Sequence, residues 1–264
     1  MSIIYEPSGA AREYSPYACN LYIGCSHGCQ YCYAPRVLQR RNEDFFGTPS
    51  PRRDVLRLLE KDLKAKTYDK QIMLSFIGDL YCDTADGGKT SRAALEILNA
   101  YKAPVAVLSK GGEKMLRDVD VFQAFGGRIA VGTTLTFMDE DKSRQWEPGA
   151  TLPKERLEAL KELKNAGIKT FVSFEPVLEI SESLKLIERT LHDDSVVYYK
   201  IGKLNNFRGL DKGMDWQGFL RNALEMIRPA KKELYIKKSL RELAPDIELF
   251  ADETDHERYI VRAT

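Results

Sequence analysis

The stretch CSHGCQYCYAPR, residues 25 to 36, places Cys25, Cys29 and Cys32 within eight positions and flanks the last with Tyr31 and Tyr33. Thiolates at the spacing C-x3-C-x2-C in one loop can converge on a metal centre, because sulfur is the ligand for zinc and for iron–sulfur clusters. A closed structural zinc site needs a fourth ligand, and His27 or Cys19 are the nearby candidates. His27, however, lies inside the loop between two cysteines, and Cys19 falls in a strand pattern where it reads as a buried thiol. If neither ligates, one coordination position stays open, as in metal sites that do chemistry. The five cysteines, Cys19, Cys25, Cys29, Cys32 and Cys82, are odd in number. The chain also opens without a basic and then apolar leader, so a disulfide framework is not expected.

Such a loop needs a rigid support, and the 264 residues, 43% hydrophobic, are enough to bury one. Short apolar runs at 17–24, 71–78, 103–109, 128–136, 169–176 and 195–202 read as strands. They alternate with helical patterns near 51–66, 89–101, 112–124, 153–166, 180–192 and 216–228. A further run at 233–240 reads as an extra strand or a closing segment. Strands rich in Val, Ile and Phe that alternate with helices imply an α/β fold with a parallel sheet covered by helices. Six such units without a G-x-G-x-x-G turn favour a partial (β/α)6 TIM-like barrel over a dinucleotide-binding sheet. No linker or repeat interrupts the pattern. One domain over residues 1–264 is therefore expected, with a core of about 14–228 and a closing segment of about 229–264.

Barrel chemistry sits at the carboxyl ends of the strands. That rule selects, besides the cysteine loop, Gly78 and Asp79, Ser109 and Lys110, Thr133, Thr134 and Thr136, Ser173 and Glu175, and Lys200 to Asn205. The balance of forty basic against thirty-nine acidic residues provides no global field for nucleic acid, so a polyanion would have to meet a local patch. Arg36, Arg40, Arg41, Arg52 and Arg53, with Lys231, Lys232, Lys237, Lys238 and Arg241, are the two candidate patches. Phe45, Phe46 and Trp146 could stack a base. No apolar run is long enough for a membrane span, and a cytoplasmic location is expected.

C25-SHG-C29-QY-C32, with Tyr31 directly before the third cysteine, resembles the cluster motif of radical S-adenosylmethionine (SAM) enzymes. The stretches NLYIGCSHGCQYCYAPR, GDLY, FVSFEPV and YIKKSLREL are similar to the subfamily that includes spore photoproduct lyase, which repairs a thymine dimer in DNA. The resemblance implies a [4Fe–4S] cluster on Cys25, Cys29 and Cys32, with SAM on the open iron. It implies reductive cleavage to a 5′-deoxyadenosyl radical and hydrogen abstraction from a substrate, with nucleic-acid lesion repair or modification as the first reading. Radical chemistry on a peptide or small molecule is the alternative, and a zinc-stabilised binding module is the alternative of another class. The resemblance further implies cofactor contacts from Tyr31, Gly78 and Asp79; Thr133, Thr134, Ser173, Glu175 and Lys200, from their strand-end positions, are the other candidates for binding the cofactor. The electron would come from a reductase, flavodoxin or ferredoxin. Tyr33 matches a hydrogen-transfer tyrosine of the lyase residue for residue. Cys82 offers a donor thiol, although it follows Asp79 where the family's cysteine precedes the corresponding residue, and Tyr81 is a neighbour of the same kind.

Overall fold

A computed structural model describes residues 2–205 and 213–263. Eight strands form one sheet in sequential order: β1 (Ile4–Tyr5), β2 (Tyr17–Cys19), β3 (Ile72–Leu74), β4 (Val105–Ser109), β5 (Ile129–Thr134), β6 (Lys169–Val177), β7 (Tyr198–Lys203) and β8 (Glu233–Ile236). β1 runs antiparallel to β2, and every later pair is parallel. The architecture is the expected α/β partial barrel, with the six anticipated strands at β2 to β7. The run at 233–240 divides into β8 and a short helix, Lys238–Arg241. Among the described residues no helix is long and apolar enough to cross a membrane.

Period-two alternation explains the layers, because successive side chains of a strand face opposite sides of the sheet. Ala18, Met73, Ala106, Ala130, Phe171, Tyr198 and Tyr235 form one buried cluster to which no long helix contributes. Their neighbours in sequence, including Ile72, Leu74, Val105, Val107, Ile129 and Val131, pack outward against Leu59, Leu63, Leu95 and Leu98 of the helices Val55–Ala65 and Lys89–Ala100. On the other half, Val172, Phe174, Tyr199, Ile201 and Ile236 meet Leu186, Ile187, Phe219 and Leu220 of Ile180–His192 and Trp216–Ile227. Inner residues are small on β2, β4 and β5 and aromatic on β6, β7 and β8, so the large rings fill space left by the alanines. At the strands' amino ends the C-terminal tail supplies Val261 to the inner cluster, and the Ala263 N–H donates to the Asp69 carbonyl at 3.0 Å.

Four elements depart from the periodicity. β2 and β3 end sooner than their apolar runs, because the Asn20 side-chain oxygen accepts the Phe76 and Ile77 N–H groups at 2.9 and 3.0 Å. That bond turns the chain out of the sheet beside the cysteine loop. The helical pattern at 112–124 divides into a 3₁₀ segment, Gly112–Asp118, and a helix, Val119–Ala124. A helix at Glu140–Trp146, absent from the sequence reading, starts where Asp139 caps the N–H groups of Asp141 and Lys142.

Gly132 lies in β5 where a Cβ would stand 2.5 Å from the Phe171 carbonyl oxygen. The Gly132→Ala variant is expected to lose about 1–3 kcal/mol through overpacking, read as a lower denaturant midpoint. Unchanged stability would show that β5 and β6 separate more easily than this register implies.

Candidate active site

A cavity of about 530 Å³ opens at the carboxyl ends of the strands. Its wall carries Cys25, Cys29 and Cys32 on one side, Gly78, Asp79, Lys110 and Thr134 at the strand ends, and Tyr14, Glu175, Asn205 and Lys237 on the other. The cysteine loop is clamped from two directions. The Cys25 N–H donates to the Phe45 carbonyl at 3.1 Å, the Gln30 N–H to the Trp146 carbonyl at 2.8 Å, and the Gly149 N–H to the His27 carbonyl at 2.8 Å. Gly78 has φ +89°, and a Cβ there would stand 2.5 Å from the Gly24 carbonyl oxygen. Only glycine lets β3's exit press against the loop this closely.

Asp79 joins these parts. Its Oδ1 accepts the Tyr81 N–H at 2.8 Å and the Ser109 hydroxyl at 2.6 Å, while Oδ2 accepts the Lys110 N–H at 2.8 Å. His27 Nε2 stands 3.1 Å from Oδ2, an ion-pair distance off the line of a hydrogen bond, and its Nδ1 lies 3.0 Å from the Gly149 carbonyl. Burial opposes the charge on both groups, yet the pair and the hydrogen bonds prevail. The Asp79 carboxyl is held well below the usual carboxylate range, and the His27 pKa is raised. With these contacts made, Asp79 borders the cavity but holds the loop.

Tyr31 donates its hydroxyl to Glu147, which forms a fully buried ion pair with Arg156 at 2.5 Å. Arg156 also donates to the Thr134 and Thr151 carbonyls at 2.9 and 2.6 Å. The Lys110 ammonium lies 5.5 Å from the Tyr31 ring centroid, and among the described residues no acceptor hydrogen-bonds it. Burial lowers its pKa, but Cys29 and Glu147 outweigh this and the net shift is upward. Burial pushes the Cys29 thiol up to about 12 and also raises Cys32.

On the far wall the Lys237 ammonium donates to both Glu175 oxygens at 2.9 Å and to the Ala10 carbonyl at 3.0 Å. Tyr14 donates to Glu175 at 2.6 Å and stands 2.6 Å from the Ser173 hydroxyl, and Asn205 donates to Glu175 at 2.6 Å. Lys200 lies beneath, 4.4 and 4.7 Å from the ring centroids of Tyr14 and Tyr235, with its ammonium on the Glu13 carbonyl. Burial, reinforced by the charge of Lys237, lowers its pKa to about 7.

The structure therefore gathers Cys25, Cys29, Cys32, Tyr31, Tyr33, Gly78, Asp79, Thr134 and Glu175 around one cavity. Thr133, Ser173, Lys200 and Cys82 stand off its wall. Thr133 donates to the Ser109 carbonyl at 2.7 Å, and Ser173 and Lys200 are engaged as described. Cys82 packs with Cys25, Ala34 and Phe45 and is not among the residues that line the cavity. Tyr33 does face the cavity, its hydroxyl donated to the Phe76 carbonyl at 2.8 Å. Tyr81 instead donates to the buried Asp118 at 2.9 Å.

Of the ten residues in the two basic patches, five form ion pairs among the described residues. Arg41 meets Glu43 and Asp44, Arg53 meets Asp54, Lys232 meets Asp194, and Lys238 meets Glu242. Lys237 is inside the site. Phe45 packs against Cys25, and Trp146 against Phe137, so both cover core surface. Sequence reasoning missed Tyr14, Glu147, Arg156 and the inward turn of Lys237. For Lys237 a signal existed, since it directly follows β8 and the strand-end rule applies to it. Arg156 sits in an amphipathic helix pattern that gives no sign of its burial.

A sequence profile described as the Radical SAM superfamily matches residues 19–193. An uncharacterized protein of Methanocaldococcus jannaschii is 30% identical over 162 residues, 61% of this chain and 60% of its own length. One of Acidianus two-tailed virus is 26% identical over 227 residues, 78% of this chain and 73% of its own. A spore photoproduct lyase variant with bound AdoMet and dinucleoside spore photoproduct superposes with TM-score 0.60 at 15% identity, covering 90% of this chain and 63% of the lyase. Streptococcus suis SuiB bound to S-adenosylmethionine gives TM-score 0.61 at 12% identity, covering 88% of this chain and 53% of SuiB. At these identities the two structures share the fold with this chain, which spans about 60% of the archaeal relative's length and 63% of the lyase's.

Two predictions rest on the buried charges. Arg156→Met leaves Glu147 buried without its partner and is expected to cost about 3–5 kcal/mol, read by denaturant unfolding; a loss below 1 kcal/mol would mean that Glu147 is not desolvated. Lys200 holds its proton less well folded than unfolded, so its penalty is complete below about pH 7 and fades as pH rises towards the ordinary lysine value of 10.5. Lys200→Met should therefore stabilise the protein at pH 6, on the order of 1–3 kcal/mol, and this gain should shrink steadily towards pH 10. A gain independent of pH would remove burial of the charge as its cause.

Proposed function

Because the chain belongs to the Radical SAM superfamily, whose cofactors are a [4Fe–4S] cluster and S-adenosylmethionine, we propose that it removes a hydrogen atom from a substrate admitted to this cavity. The observation that carries the reading is the meeting of three free cysteines with an unpartnered ammonium on one cavity wall at the strand ends. The residues present fit the group. Cys25, Cys29 and Cys32 are free and line one cavity, and cysteine thiolates are the ligands an iron–sulfur cluster takes. Burial keeps the empty thiols protonated, and iron supplies the positive charge that displaces their protons.

Cys25, Cys29 and Cys32 would hold the cluster, which when bound supplies the electron that splits the sulfonium bond and creates the hydrogen-abstracting radical. Around it the chain has separate tasks. Lys110 provides a positive charge for the cofactor carboxylate, Gly78 permits close backbone approach, and Thr134 offers a hydroxyl. Tyr31, fixed by Glu147, closes the wall behind Cys29. Asp79 keeps His27 and the loop in place instead of binding an ammonium group. The Glu175 and Lys237 pair forms the opposite wall with Tyr14, and Tyr33 lies where a substrate radical could reach a phenol. The electron would come from a low-potential flavodoxin, ferredoxin or reductase.

The substrate class we favour is a nucleobase-bearing one, with lesion repair or modification of the spore photoproduct lyase type. It is supported by the match at Tyr33 and by the likeness of strand-end motifs. The pairing of Arg41, Arg53, Lys232 and Lys238 with carboxylates favours a second reading, a peptide or uncharged small molecule, because such pairs leave little net field for phosphates.

Anaerobic reconstitution should give a brown protein with stoichiometric iron and sulfide, and Cys29→Ala should lose both the colour and SAM cleavage; a colourless protein with one zinc overturns the proposal. Lys110→Met should keep the cluster absorbance and weaken SAM binding about tenfold to a hundredfold, as for loss of a charge-assisted bond. Deuterated dinucleoside lesions and deuterated peptides, each incubated with reduced enzyme and SAM, separate the two substrate readings by which one passes label into 5′-deoxyadenosine.

A further inference from the structure

Lys200 is a buried cation that weakens the fold and that the proposed chemistry does not use. It is 4% exposed, stands off the cavity wall and donates to the Glu13 carbonyl. Its ammonium lies 4.4 Å from the ring centroid of Tyr14, and the ammonium of Lys237 lies 4.6 Å from the same centroid. Tyr14 borders the cavity and donates its hydroxyl hydrogen to Glu175 at 2.6 Å. Glu175 also takes hydrogen bonds from Lys237 on both oxygens. One cavity phenol therefore has two ammonium groups against its ring, and its hydrogen is committed to a carboxylate that a lysine already holds.

Loss of an electron from such a ring is opposed on either route. If the proton stays, positive charge develops beside two cations, and the attraction between those cations and the electron-rich ring is lost. If the proton passes to Glu175, the carboxylate loses the charge that Lys237 is paired with. Among the described residues the cavity phenols with an ammonium over the ring are Tyr14 and Tyr31. Tyr33 is not one of them, and it donates to the neutral Phe76 carbonyl.

We propose that Lys200, together with Lys237, is a positioning residue that acts through Tyr14: its charge keeps this phenol out of the radical chemistry of the cavity and leaves that chemistry to rings without such charges, Tyr33 among them. The side reaction so prevented is transfer of the Tyr14 hydroxyl hydrogen atom to a substrate carbon radical. In that reaction the phenol O–H bond breaks, a C–H bond forms, and the unpaired electron is stranded on Tyr14. This purpose rests on the reading of the cavity as a hydrogen-abstraction site; the resistance of the ring to one-electron oxidation does not.

The test uses the full chain without its cluster at pH 6, where Lys200 carries its proton, and radiolysis of azide and nitrite as the probe. An azide radical takes one electron from a phenol and becomes azide, the phenol proton leaves, and nitrogen dioxide traps the tyrosyl ring as 3-nitrotyrosine, which mass spectrometry maps by residue. Lys200→Met removes the charge, and Lys200→Gln removes it while keeping a donor for the Glu13 carbonyl; circular dichroism checks the fold of each. Both variants are expected to raise nitration of Tyr14 relative to Tyr33 about tenfold, as for loss of one desolvated contact between a cation and a ring. An unchanged ratio in both variants overturns the proposal, as does wild-type Tyr14 nitrated as readily as Tyr33. A rise in Lys200→Met alone traces the effect to the lost Glu13 bond and overturns it as well. The expected rise in both variants, in a protein that never cleaves SAM after reconstitution, would leave the guarded ring standing and sink the radical reading of the cavity.

Discussion

One buried carboxylate sets the geometry on which the site depends. Asp79 takes hydrogen bonds from its own turn at Tyr81 and from the end of β4 at Ser109 and Lys110, and it pairs with His27 inside the cysteine loop. The loop is thereby tied to two strand ends instead of to its own local turns. A carboxylate buried this deeply persists only when its lone pairs are filled. The same satisfaction that keeps Asp79 ionised occupies its lone pairs, whereas the Lys110 ammonium on the cavity wall has the Tyr31 ring beside it and no hydrogen-bond acceptor among the described residues.

The opposite wall is built on a second buried pair with a different task. Glu175 at the end of β6 and Lys237 just past β8 connect strands with β7 between them, and through Ala10, Tyr14 and Asn205 they draw the N-terminal segment and the β7 loop to the cavity. Because the sheet does not close on itself, its rim needs such side-chain ties where a full barrel would use a neighbouring strand. Lys200, lodged under this tie with its charge poorly hydrated, marks the cost of bringing two lysines to one buried corner. The third pair, Glu147 with Arg156, keeps Tyr31 against the loop. Each wall is thus fixed by opposite charges desolvated together, an arrangement that favours one geometry strongly because any separation leaves a charge unsolvated.

The strands and helices were legible in the chain because their signals are local. Val, Ile and Phe runs separated by amphipathic stretches located six parallel strands, and the strand-end rule put Gly78, Asp79, Lys110, Thr134 and Glu175 on one rim. Short elements were missed where a side chain overrides the pattern, as at Asn20, which ends two strands early, and at Asp139, which caps a helix of only seven residues. Charge runs were legible only as composition. Lys237 and Lys238 are adjacent in sequence, yet one is buried on Glu175 and the other is exposed beside Glu242.

What the sequence determined by itself was the cysteine loop, its spacing and the kind of centre three thiolates can hold, since those depend on residues within a few positions of one another. Tertiary structure alone decided the partners: His27 with Asp79, Glu147 with Arg156, Glu175 with Lys237, and Cys82 in one apolar cluster with Cys25. The reason is physical. Which groups lose water together depends on where distant strand ends and loops meet, and that meeting is set by packing of the whole sheet, which no short stretch of residues records.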